Sequence, residues 1–113
     1  MKPGSVDLAH LARYTGGDAA LNSEVLRLFD SQAGEMVGRL DAILEARDAK
    51  SWVEIAHTLK GAAGGIGAFA LADAAALAEP IDPANTDQAV RALAVLRREA
   101  EAVRRFIREY LKS

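Results

Sequence analysis

The chain has 113 residues, of which half are apolar, a formal net charge of −2 and no cysteine. This length suits a single domain, residues 1–113, that folds around one core without a structural metal. The lack of cysteine excludes disulfides and thiolate metal sites and suits a reducing cytoplasm, where we expect the protein to be located. Both signs of charge are interspersed, and there is no basic tract of the kind that binds nucleic acid or a membrane surface.

Two helices are predicted in the first 46 residues. The first is short, begins after Ser5 as N-cap and ends at Gly16-Gly17. Within it, His10 is interpreted as an ordinary surface histidine, because no second histidine or carboxylate pair accompanies it at metal-ligand spacing. A long helix follows from the N-cap Asp18 to about Ala46 and needs a bundle partner for its apolar stripe. The stripe comprises Val25, Phe29, Ala33, Met36, Val37, Leu40, Ile43 and Leu44.

The long helix also carries Gln32 at the border of its stripe and two glycines, Gly34 and Gly38, on its outer face. A polar side chain at such a border can reach a neighbouring site, although a solvated amide is the more ordinary interpretation. The helical pattern gives no physical reason for the two glycines.

Two helices separated by a glycine turn are predicted next. Asp48 caps a helix from about residue 49 to residue 65 or 67, with Trp52 as its core anchor. Gly67 ends this helix in a turn. The following helix, residues 70–79, consists mainly of small side chains that permit close packing, and its inward positions are Leu71, Ala74, Ala75 and Ala78.

A loop and a long final helix complete the chain. Pro80 and Pro83 break the helical pattern, and either Asn85 or Thr86 caps a helix that extends to about Leu111. Its predicted buried stripe comprises Val90, Leu93, Leu96 or Arg97, Ala100, Val103, Ile107 and Tyr110.

No segment shows the period of a β-strand. Four substantial helices with short links and one short leading helix predict an all-α fold, an antiparallel four-helix bundle with a short additional N-terminal helix. Residues 61–78 include Asp73 and are mostly alanine and glycine, so we expect no membrane span there. A bundle of this length can bury its core as a monomer, which is the state we expect.

The most informative stretch is residues 56–68, Ala-His-Thr-Leu-Lys-Gly-Ala-Ala-Gly-Gly-Ile-Gly-Ala. On a helical wheel of about 100° per residue, His57 lies opposite a continuous apolar stripe and is therefore predicted to face solvent. The stripe comprises Trp52, Ile55, Leu59, Ala62, Ala63 and Ile66. The residues that share the outer face with His57 are Lys50, Val53, Glu54, Lys60, Gly61 and Gly64.

The glycines make this outer face unusual. Gly61, Gly64 and Gly65 together cost a helix about 3 kcal/mol relative to alanine. The simple interpretation is that the helix ends near Gly61, but the apolar stripe keeps its phase as far as Ile66. We therefore interpret the glycines as room for something to approach the helix backbone beside His57.

The residue types on this face are compatible with phosphoryl chemistry. An exposed imidazole has an unprotonated nitrogen that can act as a nucleophile, and Lys60 places a positive charge beside it. Val53 and nearby apolar atoms would form part of a docking surface. The chain has no glycine-rich nucleotide loop, no acidic cluster for Mg²⁺ and no catalytic triad. If His57 accepts a phosphoryl group, the chain shows no means of activating that group from ATP, so we expect the group to come from another protein and expect no ATP-dependent kinase activity in this chain.

The motif Ala-His-x-Leu-Lys-Gly-Ala-Ala-x-x-Ile-Gly-Ala resembles the signature of histidine-containing phosphotransfer (HPt) domains, and residues 18–80 resemble the family as a whole. The resemblance implies that His57 accepts a phosphoryl group from a response-regulator receiver aspartate and passes it to another receiver in a multistep two-component phosphorelay. It implies no cofactor in this chain, because the receiver contributes the Mg²⁺, and it implies a hybrid histidine kinase as a further partner.

The resemblance also implies roles for the neighbours of His57. Lys60 would stabilise the phosphoryl charge, and Gly61 and Gly64 would permit close docking. The other candidate contacts with the partner are Val53, Glu54 and Gln32.

Two other interpretations stay open at this point. The chain could be a helical interaction bundle that binds receivers without accepting phosphate, or an inert structural fragment of a larger kinase. The identity of the receivers, the direction of phosphoryl flow and the output pathway are not encoded in these patterns.

Overall fold

Five α-helices account for most of residues 5–112, the part of the chain that the computed structural model describes. They are α1 (Leu8–Thr15), α2 (Ala19–Glu45), α3 (Ala49–Gly65), α4 (Phe69–Ala78) and α5 (Thr86–Lys112). No strand occurs within these residues, so the predicted all-α fold is confirmed. Among the described helices, none has both the length and the apolar character that crossing a membrane requires.

Helices α2 to α5 form the predicted bundle. Helix α3 packs against α2 and α4, and α5 packs against the same two helices from the other side. Because the links between successive helices are short, neighbours in sequence run antiparallel. Helix α1 lies outside this ring and packs against α2.

The core of α3 and α4 follows the predicted periodicity, except that Ala56 is buried and the predicted Ala62 is only partly buried. The α3 residues with the least exposure are Trp52, Ile55, Ala56, Leu59 and Ala63, and those of α4 are Leu71, Ala74, Ala75 and Ala78. Three of the four inward positions of α4 are alanines, so its backbone can approach α3 closely. Burial of each large apolar side chain contributes roughly 1.5–3 kcal/mol, which is why the phase of these stripes determines the fold.

Three aspartates begin the first three helices. Asp18 and Asp48 are the predicted N-caps. Their Oδ1 atoms accept hydrogen bonds from the backbone amides three residues later, those of Leu21 at 2.9 Å and Ser51 at 3.1 Å. The predicted cap at Ser5 is wrong. Asp7 has this role instead, because its Oδ1 accepts from the amide of His10 at 3.2 Å and the helix starts at Leu8.

The turn between α3 and α4 holds the N-terminal segment in place. Gly67 has a φ of 83°, a conformation that residues with a Cβ seldom adopt. The amide of Asp7 donates to the Gly67 carbonyl at 3.0 Å, and a Cβ on Gly67 would lie 2.6 Å from the Asp7 carbonyl oxygen. Both the backbone conformation and this close approach therefore require glycine.

The first turn of α5 departs from the predicted stripe. Val90 is 49% exposed, whereas Ala89 is fully buried. Ala89 lies four residues before the buried Leu93, about 40° away around the helix, and Val90 lies three before it, about 60° away on the other side. Farther along, Leu96 is buried while Arg97 is exposed and pairs with Asp41 of α2.

Gly34 does not lie on a free outer face, as the pattern suggested. It faces α5, where the Arg104 guanidinium crosses it to reach Asp30, with the Arg104 Nε 2.8 Å from the Asp30 Oδ1. A Cβ on Gly34 would lie 2.9 Å from the Arg104 Cζ, so the glycine leaves room for this ion pair. Gly38 is exposed, and no described atom outside its own helix lies within 4 Å of the place where its Cβ would be.

Candidate functional site

His57 lies in the middle of α3 with its side chain 70% exposed. The residue before it, Ala56, and the residue two after it, Leu59, are both buried, so the helix backbone beneath the imidazole is fixed against the core. The predicted display of this ring to solvent is confirmed. A rigid and accessible imidazole is the first requirement for a nitrogen nucleophile that meets another protein.

A carboxylate that the sequence analysis did not anticipate lies against this ring. The Oε1 atom of Glu79 is 3.2 Å from the Nδ1 of His57. The same oxygen is 3.7 Å from the Nζ of Lys60. One carboxylate therefore contacts both the imidazole and the ammonium group that the sequence had already placed on one face.

The packing of α3 against α4 brings Glu79 to this position. The buried indole of Trp52 donates from Nε1 to the carbonyl oxygen of Ala78 at 2.9 Å. Glu79, the C-cap residue, follows directly. Because Ala78 is itself fully buried against the bundle, the chain leaves α4 at the surface beside His57. Helical periodicity gives the phase of each helix but not the axial register between two helices, which is why this contact escaped prediction.

The contact determines which ring nitrogen is available. An ionised carboxylate accepts hydrogen bonds only, so the bond to Glu79 requires the tautomer with its proton on Nδ1. In this tautomer Nε2 has the free lone pair. No hydrogen bond from the described residues occupies Nε2. Nε2 is therefore the ring nitrogen that is open to a reaction partner.

The glycines of α3 have no internal explanation. A Cβ added at Gly61, Gly64 or Gly65 would meet no described atom within 4 Å beyond the helix itself. Gly61 is exposed, and Val53 on the same helix is 43% exposed. The surface that runs along α3 beside His57 is thus low in relief and partly apolar, with Glu54 exposed next to Val53.

Gln32 is the one candidate residue that the structure does not link to the site. It is exposed on α2, and no hydrogen bond within the described part of the chain joins it to His57. Over residues 5–112, no three histidine, aspartate or glutamate side chains gather as metal ligands.

The second histidine has a different environment. The ring of His10 lies 5.8 Å from that of Tyr14 and 5.0 Å from that of Phe69, both in edge-to-face geometry. It is half-buried, and no ion pair joins it to a lysine or a carboxylate among the described residues. His10 therefore belongs to an aromatic contact between α1 and α4 and is more buried than the ordinary surface histidine that the sequence predicted.

Comparisons with known proteins agree with this arrangement. The family model of the Hpt domain matches residues 24–106, which is well over half of the chain and includes His57, Lys60 and Glu79. A crystal structure of histidine-containing phosphotransfer protein B (HptB) from Pseudomonas aeruginosa PAO1 matches with a TM-score of 0.83 at 23% sequence identity and covers 99% of both chains. At this identity the likeness shows a shared fold. No curated protein matches the sequence.

Proposed function

Because the chain belongs to the Hpt domain family and has a histidine phosphotransfer role in a phosphorelay, we propose that the Nε2 atom of His57 carries the phosphoryl group. The observation behind this proposal is the contact of Glu79 with Nδ1, which leaves Nε2 as the free nitrogen of an exposed ring. The other histidine of the chain, His10, has no such partner among residues 5–112.

In the proposed reaction, the Nε2 lone pair attacks the phosphorus of an aspartyl phosphate on a receiver domain. The bond between phosphorus and the aspartate oxygen breaks, and the electron pair leaves with the carboxylate. The product is an imidazole phosphorylated on Nε2 with a proton still on Nδ1, so the ring gains positive charge as the bond forms. The reverse sequence passes the group to the aspartate of another receiver.

Lys60 and Glu79 stabilise different parts of this reaction. Lys60 lies one turn after His57 on the same face, and its ammonium group would offset the negative charge of the phosphoryl oxygens. Glu79 faces the ring itself, where positive charge develops. We propose that the receiver supplies the Mg²⁺, as the resemblance to the family implies.

The face of α3 around His57 supplies the docking surface. Gly61 and Gly64 let the receiver backbone come close to the helix, and no internal contact explains either residue. Val53 adds apolar area, and Glu54 adds a charge at its edge. We propose that the chain acts as a cytoplasmic monomer, with receivers and a hybrid histidine kinase as partners and without autokinase activity.

A phosphotransfer assay tests the site assignment. A receiver phosphorylated with radiolabelled phosphate, in the presence of Mg²⁺, should label the wild-type chain with a bond that is acid-labile and alkali-stable, as a phosphoramidate is. His57→Gln should remain folded and lose the label, whereas His10→Gln, the matched control, should keep it. Label retained in His57→Gln would refute the assignment, and receiver binding without any transfer would favour a pure interaction bundle.

A further inference from the structure

We propose that the negative charge of Glu79, beyond its hydrogen bond, keeps Nδ1 of phosphorylated His57 protonated and so keeps the phosphoryl group transferable at neutral and mildly alkaline pH. This inference rests on the proposed function, in which Nε2 of His57 carries the group. Glu79 is then a positioning residue that acts on the receiver's reaction through the imidazole ring.

The geometry places one carboxylate where it can act on the ring proton. Glu79 Oε1 is 3.2 Å from Nδ1, and the Glu79 side chain is 28% exposed, compared with 70% for His57. A partly buried carboxylate at this distance interacts with a ring cation more strongly than a fully solvated one does. The contact joins the end of α4 to the middle of α3, so the packing of the two helices holds it in place.

The other charged groups near the ring are few. On α3 itself, Lys60 lies 3.7 Å from the same Glu79 oxygen, and Glu54 is exposed one turn before His57. Helix α2, which also packs against α3, contributes no ion pair to His57 within the described residues. Lys60 weakens the effect of Glu79 on the ring, but it is also the group expected to turn toward a phosphoryl group on Nε2.

The ring proton matters because it determines the leaving group of the onward step. When a receiver aspartate attacks the phosphorus, the bond from Nε2 to phosphorus breaks and its electron pair returns to Nε2. With a proton on Nδ1, the product is neutral imidazole. Without that proton, the product would be an imidazolate anion, a much poorer leaving group. Phospho-His57 is therefore a competent donor only while Nδ1 is protonated.

A negative charge next to the ring favours its cationic, protonated form. The ring of phospho-His57 should then release its proton at a higher pH with Glu79 present than without it. Glutamine can accept the same hydrogen bond through its amide oxygen but has no charge, whereas alanine provides neither. Comparing Glu79→Gln with Glu79→Ala thus separates the charge from the hydrogen bond.

The test measures the ring proton directly. The wild-type chain, Glu79→Gln and Glu79→Ala are phosphorylated with phosphoramidate, and the ³¹P resonance of phospho-His57 is followed against pH at constant ionic strength. We expect the titration midpoint to fall by about 0.5–1 pH unit in both variants. Asp73→Asn is the control. It removes an exposed charge from α4, the helix that ends at Glu79, and should leave the midpoint unchanged.

The onward rate to a receiver provides a second measurement. Below both midpoints, Glu79→Gln and the wild type should transfer equally fast; above both, Glu79→Gln should be about 3- to 10-fold slower, because a smaller fraction of its ring is protonated. A Glu79→Gln midpoint equal to that of the wild type would overturn the inference. That result leaves the proposed function intact, since labelling of His57 is judged separately by the His57→Gln experiment.

Discussion

The indole Nε1 of Trp52 lies 2.9 Å from the carbonyl oxygen of Ala78, one residue before Glu79, and joins the core of α3 to the end of α4. Both residues are fully buried. A hydrogen bond in the interior, beneath the exposed imidazole, thus helps to fix the carboxylate that contacts His57.

Replacing Trp52 with phenylalanine should weaken both the fold and the site. The Ala78 carbonyl loses its indole donor inside the core, and the smaller ring leaves a void, so we expect the free energy of unfolding to fall by about 2 kcal/mol. Urea denaturation measures this loss. In the same variant, the Nδ1 proton signal of His57 in NMR spectra should exchange faster with water, because Glu79 is less well held. An unchanged exchange rate would show that Trp52 does not position Glu79.

The contrast between His57 and Glu79 shows which parts of the site the sequence can predict. The exposure of His57 follows from the phase of a single helix, since Ile55 and Leu59 must turn inward. The position of Glu79 depends on how far α4 slides along α3, and small alanines allow many such registers. Only the Trp52 hydrogen bond and the packing of the whole interface select one of them.

Other departures from the predicted fold have the same origin. Gly34 has no explanation within α2, because the residue that needs its space, Arg104, is seventy positions away on α5. At the start of α5, Ala89 and Val90 are both compatible with the periodicity, and the packing of α5 in the bundle buries Ala89 rather than Val90. Long-range packing supplies information that a local pattern lacks.

Gly67→Ala should destabilise the protein. The left-handed backbone at φ 83° and the 2.6 Å approach of a Cβ to the Asp7 carbonyl oxygen both oppose a side chain, and we expect a loss of about 2 kcal/mol or more. Thermal unfolding would measure it. Gly61→Ala is the matched control within the same glycine run: it is helical and open, so it should stabilise the protein by up to about 1 kcal/mol. Equal effects of the two substitutions would contradict this account.

A bulky residue on the proposed docking face should impair partner binding while sparing the fold. Gly61→Leu adds a side chain where no described atom of this protein interferes, yet it should weaken receiver binding by about tenfold or more, since it prevents close packing at the centre of the interface. Isothermal titration calorimetry with a cognate receiver measures the affinity. Gly38→Leu, equally open but on α2, is the control. If Gly61→Leu binds the receiver with wild-type affinity, Gly61 does not lie in the interface.

The N-cap of α3 should make stability depend on pH in the acid range. The hydrogen bond from the Ser51 hydroxyl, and to a lesser extent the one from the Ser51 backbone amide, lower the pKa of Asp48 below its ordinary value of 3.8. Because the native pKa is lowered, the unfolded state binds more protons than the folded state in this range. The stabilisation of the fold by the Asp48 carboxylate is therefore present above pH 3.8 and is lost as the pH falls through the native pKa. The wild type should therefore exceed Asp48→Ala in stability at pH 7, and the difference should shrink in acid. Denaturant titrations at several pH values would show whether it does; a constant difference would exclude this linkage.

Lys60 should affect the rate of phosphoryl transfer more than the affinity for the receiver. Its ammonium group lies 3.7 Å from Glu79 in the free protein, with its side chain 42% exposed, so it can turn toward phosphoryl oxygens on Nε2 without rearrangement of the helix. One charge-assisted hydrogen bond in a partly solvated site contributes about 1.5 kcal/mol, which corresponds to a roughly tenfold slower transfer in Lys60→Ala. Rapid-quench measurements at saturating receiver give this rate. Lys60→Arg should retain most of the wild-type rate. Lys50→Ala, which removes an exposed lysine at the start of the same helix, is the control and should leave the rate unchanged. If Lys60→Ala instead weakened receiver binding and left the saturated rate intact, the lysine would be a docking residue rather than a stabiliser of the transferred group.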